Sequence, residues 1–266
     1  MDVPKAPPLP RSGLPKPGLP KPVFPWPGGR RAAVSLTYDD AVQSQRRHAA
    51  SQLTALRLPG TFFLTGDSRD LAEHRRAWQE LLDAGHELAS HTMHHPCDCS
   101  HDWVPRGFTS QDYDLPRMHA ELQQTLALLR GLGAPEPYSF AYPCGETQVG
   151  VPAQSYRPLV EQMFLAARGV DPGIADPWHS ELGLVPANDG ARGAAELIEL
   201  VERAEDAGGW LVFLFHGVGG DHLSVELTAH AELLEHLARR TDSVWTERFG
   251  TVASHVQEQR SSSPRR

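Results

Sequence analysis

Cysteine is scarce in this 266-residue chain: only Cys97, Cys99 and Cys144 are present. So small and odd a number excludes a disulfide-built scaffold at this size. No second Cys or Cys/His pair follows at finger spacing, which excludes a zinc finger. Long apolar runs are missing as well. The longest, Trp210-Leu211-Val212-Phe213-Leu214-Phe215, has six residues, whereas a membrane span needs roughly 20. Basic excess is missing too. A formal charge of -8 and a pI near 5.9 leave no surplus to release phosphate counterions, so no nucleic-acid partner is expected. The N-terminus shows no apolar stretch of roughly 7–15 residues behind its basic ones; ten of its first 28 residues are Pro. A cytoplasmic protein with no membrane contact is the resulting expectation. What remains, 40% hydrophobic and 22% charged residues, is a soluble globular profile long enough for one large α/β domain or two small ones.

Residues 1–28 read as a proline-rich arm that cannot form a core. Folding is expected to start near Arg31, with a catalytic domain over 29–258 and a polar tail over 259–266. Strand and helix signals alternate within that domain. Strands are expected at 32–37, 61–65, 86–90, 139–142, 164–167, 210–215 and 244–246. Helices are expected at 43–57, 71–84, 114–132, 194–207 and 226–239, the third carrying Leu115, Met118, Leu122, Leu126 and Leu129 at helical spacing. About seven β/α units argue for a parallel sheet or barrel, whose functional groups gather at the strand C-terminal ends.

Those ends carry chemistry. Asp39-Asp40 closes the first strand, His91-Thr92-Met93-His94-His95 follows the third, Tyr142-Pro143-Cys144-Gly145 the fourth, and His216-Gly217 the apolar strand from Trp210. Asp39 and Asp40 alone could be helix caps; as a pair they suit one metal ligand and one general base. His91 and His95, four apart, can face one ion. His94 competes with His95 at i+3, and spacing does not choose between them. His216 at a strand end suits a general acid. Trp103, Tyr113, Trp178 and Trp210 are read mainly as packing residues, with one or two available as a floor under a sugar ring.

Taken together the four motifs resemble the polysaccharide deacetylase family (carbohydrate esterase family 4, the NodB-homology domain), in order from about Arg31 to Val256. The resemblance implies an irregular (β/α)7 barrel in a single domain. It makes Asp39 the base and Asp40, His91 and His95 the ligands of a divalent metal, Zn2+ first with Co2+ or Ni2+ as substitutes. Phe140-Ala141-Tyr142-Pro143-Cys144-Gly145 resembles the motif that walls the groove and offers the Cys144 N–H to an oxyanion. Leu214-Phe215-His216 resembles the last motif, with Leu214 lining an acetyl pocket and His216 as general acid. A further motif, loosely matched around Asp171 to Trp178, puts Trp178 among the substrate-binding residues.

The implied reaction removes acetyl from a sugar amine or hydroxyl, so the implied partner is an acetylated carbohydrate; no motif speaks to oligomeric state. Hydrolysis of a small cyclic amide or ureide on the same fold is the alternative, with a non-catalytic carbohydrate-binding domain behind it. Where the family motif usually carries an Arg, this chain has Ala141. Arg168, at the end of the next strand, is the candidate to supply that guanidinium and hold Asp39 ionised, with a salt bridge to Asp171 as the structural alternative. Cys97 and Cys144 are expected near the metal, close enough to bridge and leave Cys99 free; three reduced thiols is the competing expectation.

Overall fold

The computed structural model describes residues 23–262. Seven short strands build its centre: β1 (Ala32–Asp39), β2 (Thr61–Leu64), β3 (Glu87–Ser90), β4 (Ser139–Ala141), β5 (Ala166–Arg168), β6 (Asn188–Asp189) and β7 (Trp210–Phe215). Parallel pairing runs β5-β4-β3-β2-β1-β7, and β6 joins β7 through Phe213–Asn188 and Leu214–Asp189. The chain before β6 reaches back to β5, where Arg168 bridges Val185 and the Gly169 N–H donates to the Val185 carbonyl at 2.9 Å. The sheet thereby curls round on itself. This is the irregular (β/α)7 architecture in a single domain.

Strand alternation divides the core in two. Val34, Leu36, Tyr38, Phe62, Leu88, Phe140, Tyr142, Phe213 and Phe215 point outward, under the surrounding helices. Ala33, Phe63, Ala89, Ala141, Ala166, Val212 and Leu214 point inward. Small alanines leave room inside the narrow barrel, while the aromatic side chains fill the wider outer layer. Burying an apolar side chain of Phe or Leu size contributes about 1.5–3 kcal/mol, so both layers hold the strand ends rigidly.

The N-terminal end of the barrel is stoppered by a helix that the sequence pattern did not announce. Phe249–Ser262 inserts Phe249, Val252, Ala253 and Val256. Its start is anchored at the feet of two strands: the Phe249 N–H donates to Thr61 Oγ1 at 2.8 Å and the Gly250 N–H to Glu87 Oε2 at 3.0 Å. The expected boundary at 258 therefore falls inside a helix, and residues 263–266 of the tail lie outside the described residues. The arm also needs correction. Phe24 and Trp26 are each 3% exposed, and the Trp26 indole donates to the Gly208 carbonyl at 3.1 Å. Their large apolar faces cover the stoppered end, so the core begins at Phe24; residues 1–22 lie outside the described residues. The helix expected at 71–84 is two, Arg69–Glu73 and Arg75–Asp83, broken at His74.

Candidate active site

The seven strands β1 to β7 deliver their C-terminal ends to the rim opposite the stopper, and the backbone there is unusual. Eight non-glycine residues among those described have positive φ, and seven of them (Asp40, Ala41, Thr92, His95, Cys144, Asp221 and Leu223) lie just beyond β1, β3, β4 or β7. Left-handed backbone costs a residue with a Cβ on the order of 1–3 kcal/mol, a cost that tends to gather at functional sites.

Three donor groups converge. The Nε2 atoms of His91 and His95 are 3.1 Å apart, and Asp40 Oδ1 stands 3.6 Å from the first and 3.5 Å from the second. A tetrahedral ion with bonds of about 2.0–2.1 Å holds its donors about 3.3 Å apart, so this triangle has the dimensions of a divalent metal site. The tautomer fits as well. His91 Nδ1 lies 2.9 Å from the Ala141 carbonyl, so it carries the proton and Nε2 keeps its lone pair for the centre. Burial holds His91 down at about 4, leaving the neutral imidazole that ligation requires. Burial pushes the Asp40 carboxyl upward, but a hydrogen bond from His222 and the imidazoles of His91, His95 and His216 outweigh it and hold it well below the usual range. The residues present fit a metal.

Asp39 sits beside this triangle. Its Oδ2 takes a hydrogen bond from the Arg168 guanidinium and lies 3.6 Å from His91 Nε2. Its Oδ1 is buried and has no hydrogen-bond partner among the described residues. Arg168 is itself fully buried, stacked over the Phe63 ring at 5.2 Å and donating to the Gly169 carbonyl at 2.9 Å. Gln45 locks two strand ends together, its amide donating to the Asp39 carbonyl and, at 3.0 Å, to that of His216. His216 enters from β7 with Nε2 3.9 Å from Asp40 Oδ2, and burial pushes it below its ordinary 6.5. Leu214, inward-facing and 7% exposed, lies two residues before it.

Other expected positions land elsewhere. His94 turns away, with Nδ1 3.0 Å from Asp67 and its ring against Phe108, which leaves His95 as the partner of His91 in the triangle. Tyr142 is not a groove wall. It follows inward-facing Ala141, so alternation sends its ring outward, fully buried, with its hydroxyl on the Gly183 carbonyl at 3.2 Å. Pro143 is buried in the same turn. Trp178 is also misplaced as a substrate residue. The short strand Ile174–Ala175 runs antiparallel to β7 at Leu211 and Trp210, so the chain beyond it emerges at the stoppered end. There the Trp178 ring packs on Phe24 at 4.8 Å. Cys97 and Cys144 are bridged and Cys99 is free and exposed.

Two residues of the site are not among those singled out from the sequence. Glu121, buried on the helix Leu115–Leu132, accepts the N–H groups of Met93 at 3.1 Å and His94 at 3.0 Å and so shapes the histidine loop. His222 donates to Asp40 across 182 positions of chain. A buried Glu at an inward position of an otherwise leucine-rich helical stripe could have flagged the first.

A curled (β/α)7 sheet with paired carboxylates and imidazoles at its strand ends defines the class: a β/α barrel with a candidate metal centre. Residues 28–157 match the polysaccharide deacetylase family model, a span that holds the first three motifs. Over that span, just under half of its length, the chain is similar to the polysaccharide deacetylase family. Solved structures agree in fold. The PuuE allantoinase superposes with a TM-score of 0.66 at 15% identity, covering 93% of this chain and 98% of that one. A Mycobacterium smegmatis protein assigned to the polysaccharide deacetylases gives 0.63 at 19%, over 93% and 97%. The family 4 carbohydrate esterase from Streptomyces lividans, in complex with acetate, gives 0.54 at 20%, over 81% and 91%. A curated gellan lyase from a Bacillus species is 24% identical over 263 residues, 88% of this chain; the chain spans about a tenth of that protein's length.

Proposed function

We propose that this chain is a metal-dependent deacetylase that releases acetate from an N- or O-acetylated carbohydrate. The observation that carries it is the position of Asp39, a buried carboxylate with one oxygen held by Arg168 and the other left free beside the triangle of Asp40, His91 and His95. Two imidazoles and a carboxylate suit Zn2+, with Co2+ or Ni2+ as substitutes. A divalent ion bound there supplies a Lewis acid for the acetyl carbonyl and makes water acidic enough to attack near neutral pH.

The chain's own groups do the rest. The free Asp39 oxygen accepts the proton of the attacking water, a role worth roughly 10²–10⁴ in rate. Arg168 fixes the rotation of that carboxylate through its hydrogen bond to Oδ2. The Cys144 N–H donates to the oxygen that gains charge in the tetrahedral stage. His216 delivers a proton to the departing amine or alcohol, and Leu214 borders the acetyl methyl. Pro143 shapes the turn that presents Cys144.

The test is acetate release by metal-loaded protein from chitooligosaccharides, acetylated xylan and a chromogenic acetyl ester, with allantoin alongside. Acetate from at least one substrate, lost in His95→Ala and kept in His94→Ala, is expected. Ring opening of allantoin with no acetate from the other three would replace this reading with the cyclic-ureide one, which the likeness in fold to the PuuE allantoinase favours.

A further inference from the structure

The loop after β7 is built to present one side chain. Residues 217–225 fold back on themselves: the Gly217 N–H donates to the His222 carbonyl at 3.0 Å, Val225 to Gly217 at 3.0 Å, and Gly219 to Val225 at 2.9 Å. The chain at Ser44 pins it from outside. The Ser44 N–H donates to Asp221 Oδ2 at 2.7 Å, and Ser44 Oγ accepts from the Val218 N–H at 3.1 Å. A Cβ on Gly217 would stand 1.9 Å from the Gly220 carbonyl oxygen, so only glycine closes the turn. Asp221 and Leu223, on either side of His222, have φ of 61° and 44°, backbone that residues with a Cβ adopt rarely and at a cost. Strain and pinning together deliver His222 Nε2 to 2.8 Å from Asp40 Oδ2. Its side chain is 53% exposed, so the loop rather than core packing fixes its place.

Asp40 thus has its two oxygens engaged differently. Oδ1 faces His91 and His95 at 3.6 and 3.5 Å, and Oδ2 faces His222. A carboxylate with a loose second oxygen rotates, shares its charge over both atoms and alternates between one and two bonds to an ion. It would also offer that oxygen to His216, 3.9 Å away, drawing that imidazole out of line.

We propose that His222 is a positioning residue for the metal: its Nε2–H holds Asp40 Oδ2, so that Oδ1 alone joins His91 and His95 toward the ion and His216 stays turned to the substrate. The inference rests on the reading of Asp40, His91 and His95 as the ligands. No new cation is required for it, although Asp40, His216 and His222 also lie close enough together to hold one.

Zn2+ affinity, measured by competition with a chromogenic chelator, and Zn2+ content by elemental analysis test this without any substrate. Wild type is expected to bind one ion. His222→Ala should weaken Zn2+ binding by about 10–100-fold, the usual consequence of losing a partner that orients a ligand, with the metal-free thermal melt unchanged. His222→Gln, whose amide nitrogen reaches the place of Nε2 but is a poor ligand, should recover most of the loss. His95→Ala should bind essentially none. Unchanged affinity in His222→Ala while His95→Ala has lost the ion overturns the inference and leaves the ligand reading standing. A Gln variant as deficient as His95→Ala, or two ions in the wild type, makes His222 a ligand and also overturns it. Retention of Zn2+ by His95→Ala removes the ligand reading itself.

Discussion

Ala141 and Arg168 face each other in register on the adjacent parallel strands β4 and β5. The first holds the place where the family motif usually carries an arginine. The second sends a guanidinium to Asp39 from one strand further round. Both positions have inward parity, so the cation stays at the same height inside the barrel although its sequence position has moved. The Asp39–Arg168 pair is almost wholly buried, at 3% and 0% side-chain exposure, where solvent screens little of its attraction.

Arg168 is therefore expected to matter both to the chemistry and to stability. Removing one partner of a buried pair leaves a bare charge and costs about 3–5 kcal/mol, so Arg168→Lys is the safer variant beside Arg168→Ala. In both, kcat should fall and the acidic limb of the pH–rate profile should move up, because the positive charge beside the carboxylate is lost or displaced. Metal content should hold. The double variant Ala141→Arg/Arg168→Ala should regain part of the rate by restoring a guanidinium from the neighbouring strand. An acidic limb that stays in place would make Arg168 a purely structural residue.

Asp39 and His216 should separate by substrate. Asp39→Asn should keep the metal and lose roughly 10²–10⁴ of the rate on every substrate, since the proton acceptor is gone and no ligand is. His216→Ala should harm acetamides far more than aryl acetates, whose leaving groups need no proton. Equal losses on the two would take His216 out of the leaving-group role.

Acid should weaken the fold over a defined window. Burial, with Arg248 nearby, holds His86 at about 4, and burial holds His230 at about 3, both from an ordinary 6.5. The folded chain thus refuses protons that the unfolded chain accepts below 6.5. Their stabilisation is complete above that pH and is lost as pH falls from 6.5 toward 4 and 3. At pH 5 the loss should be about 2 kcal/mol per histidine, read from urea midpoints at pH 8 and 5. His86→Gln should show a shallower pH dependence. Equal midpoints at both pH values would sink the argument.

Much of this arrangement was legible before the structure, because period and punctuation carried it. The helix Ala194–Ala207 and the strands Trp210–Phe215 and Val244–Thr246 fall on their expected bounds. Arg168 could be placed by counting strands. What stayed hidden is long-range. The helix Phe249–Ser262 buries only small or moderate side chains behind Phe249, too faint an apolar stripe to announce itself. Phe24 and Trp26 sit in a proline-rich stretch and reveal their role only when they meet His255 and Trp178. Tyr142 was misread because a motif gives residue order without strand parity. His222 reaches Asp40 through a loop whose turns no short pattern encodes.

The bridge between Cys97 and Cys144 joins the histidine loop after β3 to the turn after β4. Cys97 Sγ lies 3.5 Å from His95 Nδ1, so the crosslink fixes the chain beside one arm of the metal triangle and the backbone proposed to receive the oxyanion. A thiol count tests the bridge. Protein alkylated on lysis and then unfolded without reductant should show one free thiol, Cys99; three would remove the bridge. Dithiothreitol should convert the disulfide to two thiols while it is itself oxidised to a cyclic disulfide, and the loosened loops should then bind Zn2+ more weakly. The sequence separation is 47 residues. Closing a loop of that size contributes up to about 4 kcal/mol by the chain-entropy argument. The Cys97→Ala/Cys144→Ala variant should accordingly melt roughly 5–15 °C lower, and added Zn2+ should restore part of that loss, because the ion reconnects the same loop to the barrel rim through His95.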